Sequence, residues 1–220
     1  MHLNKIALAM KKKLLLAFLS LTALTLGCAT LDSSKISRLN LIQQRGILKC
    51  GISGEIPGFS FPDDDGNFTG LDIDICKAIA TGILGAGGKV EYRRLSAPAR
   101  FTALKSGQID ILSRNTTFNL SRDSYKGNGV TFAPVVFHDG QGIMVNKKSK
   151  ITEINQLENA TICVGSGTTT EQNLNDSFKE KGIAYTPIKY QDINQVVASY
   201  LEGRCSAMTS DLSQLAAAKS

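Results

Sequence analysis

One pattern occurs twice in the sequence, and it fixes the kind of fold available. Phe101-x-x-Leu104-x-x-Gly107-x-Ile109-Asp110-Ile111-Leu112 lines up with Val197-x-x-Tyr200-x-x-Gly203-x-Cys205-Ser206-Ala207-Met208. Each copy reads as a helix, a glycine stop, a short apolar strand and a polar strand end. Further strands are predicted at Ile47–Ile52, Val90–Arg93, Val130–Phe132, Gly142–Val145, Thr161–Val164 and Tyr185–Lys189, with the two copies adding Ile109–Leu112 and Cys205–Thr209. Helices are predicted from Gly70-Leu71 to a stop at Gly85–Gly88, and over Ala99–Ser106, Thr170–Lys181 and Asp192–Leu201, with a short helical segment at Ile151–Leu157. Alternating strands and helices imply an α/β fold with parallel pairing and right-handed crossovers. A crossover at Pro134–Gly140 then divides the chain into two lobes, 45–135 and 136–220, with a cleft between their strand ends.

The candidate chemistry sits at one of those ends. After the apolar run Ile109–Leu112 the chain turns polar through Ser113, Arg114, Asn115, Thr116 and Thr117. Small ligands of open α/β sheets sit at the C-terminal ends of strands. Arg122 follows, read as lying just inside a helix that Ser121 caps. A guanidinium fork beside hydroxyls and a helix start suits a carboxylate. The alternative is a polar loop whose Arg122 pairs with a surface carboxylate. A second anion candidate is Gly165-Ser166-Gly167-Thr168-Thr169-Thr170, a strand-to-helix turn. It lacks the lysine of a phosphate-binding loop, and the dinucleotide fingerprint fails at Thr170. A plain strand-to-helix turn is the alternative there.

The N-terminus reads as an export signal over residues 1–28, with Lys5 and Lys11-Lys12-Lys13 ahead of the apolar run Leu14–Leu26. Two exits are open. Cleavage before Cys28 would leave a lipid-anchored cysteine, although Thr25 stands where an aliphatic residue is usual in that motif. Cleavage after Ala29 would release the chain. Residues 29–44 are a polar, weakly amphipathic lead-in. The four signal lysines account for most of the net charge of +6, so the remainder carries no footprint for nucleic acid. Cys50, Cys76, Cys163 and Cys205 suit an oxidising compartment. Cys50–Cys76 with Cys163–Cys205 is the preferred pairing, because each bridge stays within one lobe; four buried free thiols are the alternative. A metal site is not expected, since there is no C-x-x-C and only His2 and His138 are present. Asp63-Asp64-Asp65-Gly66 lacks the remaining oxygens of a calcium loop and reads as a solvated turn. Phe59 and Phe61 flank that turn and either cover a ligand or pack the loop down.

Several motifs together resemble a known family. Gly46-x-Leu48-x-Cys50-Gly51, Pro57-Gly58-Phe59, Gly70-Leu71-Asp72-x-Asp74 and Arg100-Phe101-x-x-Leu104-x-x-Gly107-x-x-Asp110 are similar to the periplasmic polar amino-acid-binding proteins of ABC transporters, solute-binding protein family 3. Ser113–Thr117, Gly140-Gln141-Gly142 and Ser166–Glu171 resemble the general L-amino-acid-binding branch. The resemblance covers residues 45–220. It implies a type II periplasmic-binding-protein fold, two α/β lobes with a hinge, closing on one amino acid. By matched position Arg122 would clamp the ligand carboxylate, assisted by Asn115, Thr117 and Thr169. Asp211 would receive the ammonium, Phe59 would cover the ligand, and Arg114 would face its side chain.

No cofactor is implied, and the partners would be an L-amino acid and a membrane permease. Family chains run on past the position of Ser220, so the resemblance also implies an incomplete second lobe, with stability and binding weakened. Two other functions suit the same fold. A periplasmic dehydratase acting on a cyclic acid would need an acid or base in the cleft, where Glu55 and Glu171 are the nearest glutamates. A sensory ectodomain would need a membrane span and signalling domain downstream.

Overall fold

Strand β1 (Ile47–Ile52) is the axis of the first half. Leu48, Cys50 and Ile52 are fully buried, as expected for a strand covered on both faces. It pairs in parallel with β4 (Lys89–Arg94) on one side and β5 (Ile111–Leu112) on the other. The computed structural model describes residues 37–124 and 129–218. The export signal, Cys28 and the predicted breaker at Gly127-Asn128 lie outside the described residues. From Arg38 onward the chain forms one unit.

A short hairpin, β2 (Phe61–Pro62) with β3 (Phe68–Thr69), brackets the acidic turn. There Asp63 Oδ1 accepts the backbone N–H of Asp65 at 3.1 Å and of Asn67 at 2.8 Å. Helix α2 (Leu71–Leu84) lies on β1, with Ile73 and Cys76 packed on Cys50 and Ile52. The chain enters it through Gly70 at φ 116°, where a Cβ would stand 2.6 Å from the Phe59 carbonyl oxygen. Any side chain would collide with backbone there. Cys50 and Cys76 are joined, as the sequence suggested, with Cα atoms 6.2 Å apart.

The lead-in is more than a tether. Residues Arg38–Arg45 form helix α1, which buries Ile42 against Leu48 and Ala80. Arg45 and Arg38 both pair with Asp110, whose side chain has no exposure, and Asp110 also accepts the Lys49 N–H at 2.8 Å. A buried carboxylate needs such partners. Helix α3 (Arg100–Lys105) precedes β5.

The second half is a four-stranded sheet in the order β6-β9-β7-β8, comprising β6 (Gln141–Val145), β7 (Ala160–Gly165), β8 (Tyr185–Tyr190) and β9 (Ala207–Asp211). Its strands β8, β7 and β9 run parallel, and β6 pairs antiparallel to β9. Alternate residues of β7 serve opposite faces. Ile162 and Val164 pack with Leu174 and Phe178 of helix α4 (Thr169–Glu180), while Cys163 packs with Val196 of helix α5 (Ile193–Leu201). Cys163 is bonded to Cys205, with Cα atoms 5.7 Å apart. Helix α6 (Leu212–Ala217) follows β9 directly.

Two local expectations fail. Residues 120–122 form a turn rather than a helix start. The Asn119 side chain takes the role given to Ser121, accepting both the Arg122 N–H and the Ser121 hydroxyl at 2.9 Å. Val130–Phe132 is irregular, because among the described residues no neighbouring strand offers it a ladder. The short helical segment expected over 151–157 is a 3-10 helix, Ile154–Leu157.

Candidate functional site

The ends of the two sheets bring most of the sequence candidates together. Arg114, Asn115, Thr117 and Arg122 from the first half, with Thr169 and Asp211 from the second, line one cavity of about 30 Å³. That holds a water molecule or so, and an amino acid enters only if the walls separate.

Each wall is bonded to the other. Asn115 Nδ2 donates to Asp211 Oδ2 at 3.1 Å, and the Thr117 and Thr169 hydroxyls are 3.1 Å apart. Arg122 is 7 % exposed. It donates to the Thr117 carbonyl at 2.9 Å and lies 5.5 Å from the centre of the Phe101 ring. Arg114 donates through Nε to the Leu95 carbonyl at 3.2 Å and through Nη1 to Asn115 Oδ1 at 3.1 Å. Burial pushes Arg114 down to about 10, against the opposing pull of Asp72 and Glu55. Burial lowers Arg122 as well, with Asp211 opposing. It raises Asp211, and the bond from Asn115 opposes that rise.

The second wall is built from a helix start. Thr168 caps α4, its hydroxyl accepting the Glu171 N–H at 3.0 Å while donating to the Gly165 carbonyl at 2.7 Å. Glu171 reaches back to accept the Gly167 N–H at 2.7 Å and pairs with Lys189 at 2.9 Å. Gly167 takes φ 71° and faces Pro98 across the cleft. Thr169 is the first helical residue, so its N–H has no partner within the helix. Gln141 secures this wall, donating to the Thr170 carbonyl at 3.0 Å and to Thr209 Oγ1 at 2.9 Å.

Phe59 stands apart. It does not line the cavity; its ring meets Phe137 edge-on, 5.0 Å between centres. Two buried groups went unread in the sequence. Arg100 is 2 % exposed and also lines the cavity. It donates to the Gly167 carbonyl at 3.2 Å and lies 4.8 Å from the Phe101 ring centre. Burial, reinforced by Arg114 and Arg122, pushes it down to about 9. Its Nε has no hydrogen-bond partner among the described residues. Asp72 is buried at the start of α2, where desolvation pushes it up to about 6 against the pull of Arg114 and a 3.4 Å bond from Ser60. The run Arg100-Phe101 was noted only as part of a motif, and an arginine opening a short helix otherwise reads as exposed. A second cavity of about 450 Å³ adjoins the first through Gln191 and Asp192, and includes Glu55 and Arg94, paired at 3.2 Å.

Residues 48–217 match the bacterial extracellular solute-binding proteins, family 3. The chain belongs to that family. It is 42 % identical over 206 residues to the general L-amino acid-binding periplasmic protein of Rhizobium johnstonii, covering 94 % of this chain and 59 % of the relative. It is 40 % identical over 210 residues to the glutamate/glutamine/aspartate/asparagine-binding protein of Rhodobacter capsulatus, covering 96 % and 60 %. Among solved structures, a periplasmic binding protein from Brucella ovis with glutathione bound superposes with a TM-score of 0.77 at 41 % identity, over 84 % of this chain and 58 % of that one. The chain thus spans about three fifths of the length of these relatives. Its two α/β halves are those of the type II periplasmic-binding fold that family membership implies. These relatives are named as binding proteins rather than enzymes.

Proposed function

We propose that this family member captures L-amino acids for an ABC transporter, holding the two ends of a zwitterion between opposite walls of the cleft. Arg122 takes the ligand carboxylate, with donors from Asn115, Thr117 and Thr169. Asp211 takes the ammonium, and Arg114 faces the ligand side chain. Phe59 covers the ligand only by leaving the Phe137 ring. Residues 45–135 and 136–220 move as lobes about the crossover at Pro134–Gly140. The ligand is passed to a membrane permease, the site of action is the periplasm, and Cys28 is the candidate lipid anchor.

One observation carries this reading: a buried guanidinium, Arg122, in the segment that follows one sheet and a half-buried carboxylate, Asp211, at the end of the other line the same cavity. A zwitterion needs that arrangement. The amino-acid binding named for the Rhizobium johnstonii and Rhodobacter capsulatus relatives supports the ligand class. Thermal unfolding of the chain with each common L-amino acid tests it. A true ligand at a hundred times its Kd adds about 2.7 kcal/mol and raises Tm. A flat screen would sink the reading.

A further inference from the structure

We propose that the outer edge of β6 is a self-association surface, where two copies of this chain join through an antiparallel β6–β6 pair. Among the described residues the two larger sheets have four outer edges, β4, β5, β6 and β8. Three of them discourage a further strand. Strand β4 exposes Lys89, Glu91, Arg93 and Arg94, β8 carries Pro187 and Lys189, and β5 is only two residues long. Charge, proline and brevity each blunt an edge. Strand β6, Gln141-Gly142-Ile143-Met144-Val145, has no charge and no proline, and all five residues are half-buried. Its inner side pairs with β9, and no strand covers the other among the described residues.

The flanks of β6 are apolar as well. Val135, Val136 and Phe137 lead into it and are exposed. Leu212, also exposed, lies over Gly142, where a Cβ would stand 2.7 Å from its Cδ2. Together these four side chains expose on the order of 400 Å² of apolar surface, a size that is often functional in a soluble protein. The half-buried strand extends that toward the roughly 800 Å² per partner of a specific interface.

Symmetry and charge select a second copy as the occupant. With Ile143 on a two-fold axis, Gln141 lies opposite the partner's Val145 and Gly142 opposite the partner's Met144. The space at Gly142 takes that methionine beside Leu212. The same register, carried two residues past each end of the strand, sets Asp139 opposite the partner's Lys147. Asp139 is exposed and is the only acidic residue from 130 to 146. Lys147 is exposed and opens the basic run Lys147-Lys148-Ser149-Lys150. The pair therefore gains two attractive contacts, one at each end. A two-fold pairing uses up both β6 edges, so assembly stops at two.

Analytical ultracentrifugation of the full chain tests this, with a monomer–dimer equilibrium as the expected result. Asp139→Lys and Lys147→Asp should each weaken the dimer at least about tenfold by setting like charges opposite each other, and the two together should restore it to within about threefold. Ile143→Cys should form a disulfide between copies above the background that Cys28 gives in the unaltered chain, whereas Val145→Cys should not. A monomer at every concentration overturns the proposal, and one that pellets with phosphatidylcholine vesicles assigns the apolar patch to lipid instead. Open-ended oligomers overturn the two-fold pairing. So do single charge variants that leave the dimer unchanged, or a double variant that does not restore it. If a charge variant fails to fold, the Ile143→Cys cross-link decides alone, and its absence overturns the pairing.

Discussion

The two walls of the cleft approach one task with different materials. The first is an irregular segment, residues 113–122, carrying guanidiniums that burial makes costly to keep charged; Arg114 is pushed down to about 10, and Arg100 on neighbouring α3 to about 9. The second is the start of a twelve-residue helix, whose donors are backbone N–H groups set by Thr168 and Glu171. Side-chain charges give a strong field that must be balanced by partners. Backbone donors give a weaker field that the helix holds in place. The first wall therefore depends on charge and pH, and the second on local geometry.

Replacement of Arg122 by Met should break the charged wall outright. Removing one member of a buried, hydrogen-bonded charge pair costs about 2–5 kcal/mol, and calorimetry should show at least a thirtyfold weaker amino-acid affinity. A loss under threefold would put the carboxylate elsewhere.

Asp72 sharpens the contrast through pH. Burial raises its pKa from 3.8 to about 6, so the fold favours the protonated form. That stabilisation is complete below about 3.8 and is lost as pH rises through 6. The linked change is about 3 kcal/mol. Urea unfolding across pH 4 to 7 should show this decline, and Asp72→Asn should flatten it. An unchanged slope in the variant would assign the effect to another group.

Asp211 moves the other way for binding. Burial raises its pKa, so its charge, and with it the hold on the ammonium, is present above that pKa and lost as pH falls through it. Affinity should drop at least about tenfold, or 1.4 kcal/mol, once Asp211 is protonated. Asp211→Asn should bind weakly with no such step.

The smallest effect belongs to the backbone wall. Thr168→Ala removes the cap of α4 and should cost about 1 kcal/mol of stability, read by thermal unfolding, with affinity falling less than threefold. A larger affinity loss would mean that the Thr168 hydroxyl meets the ligand.

Legibility followed the same division. The turn Gly165–Glu171 was readable because glycine, threonine cap and following helix are neighbours in the chain. Asn115, Thr117 and Arg122 were legible as a polar strand end with a guanidinium, Asp211 only through matched motifs, and folding gathers them around one cavity. Arg100 was not legible as a cleft residue because the carbonyl it bonds, that of Gly167, is sixty-seven residues away. Ser121 reads as a cap because serine is a good one; the turn at 120–122 uses the Asn119 side chain instead. Val130–Phe132 has strand-like residues, but a strand exists only with a neighbour to bond.

Short-range chemistry settled much of this chain from residue order alone. Apolar runs bounded by glycine placed β1, α2, β7, α4 and α5 close to where they form, since period and breaker act within a few residues. The cysteines permitted several pairings, and the tertiary structure chose Cys50–Cys76 and Cys163–Cys205 by stacking each helix-side or loop cysteine on its own strand. It alone drew Arg100, Arg114 and Arg122 around Asp211. Long-range burial decides which charges lose water, and that depends on what the fold lays over them.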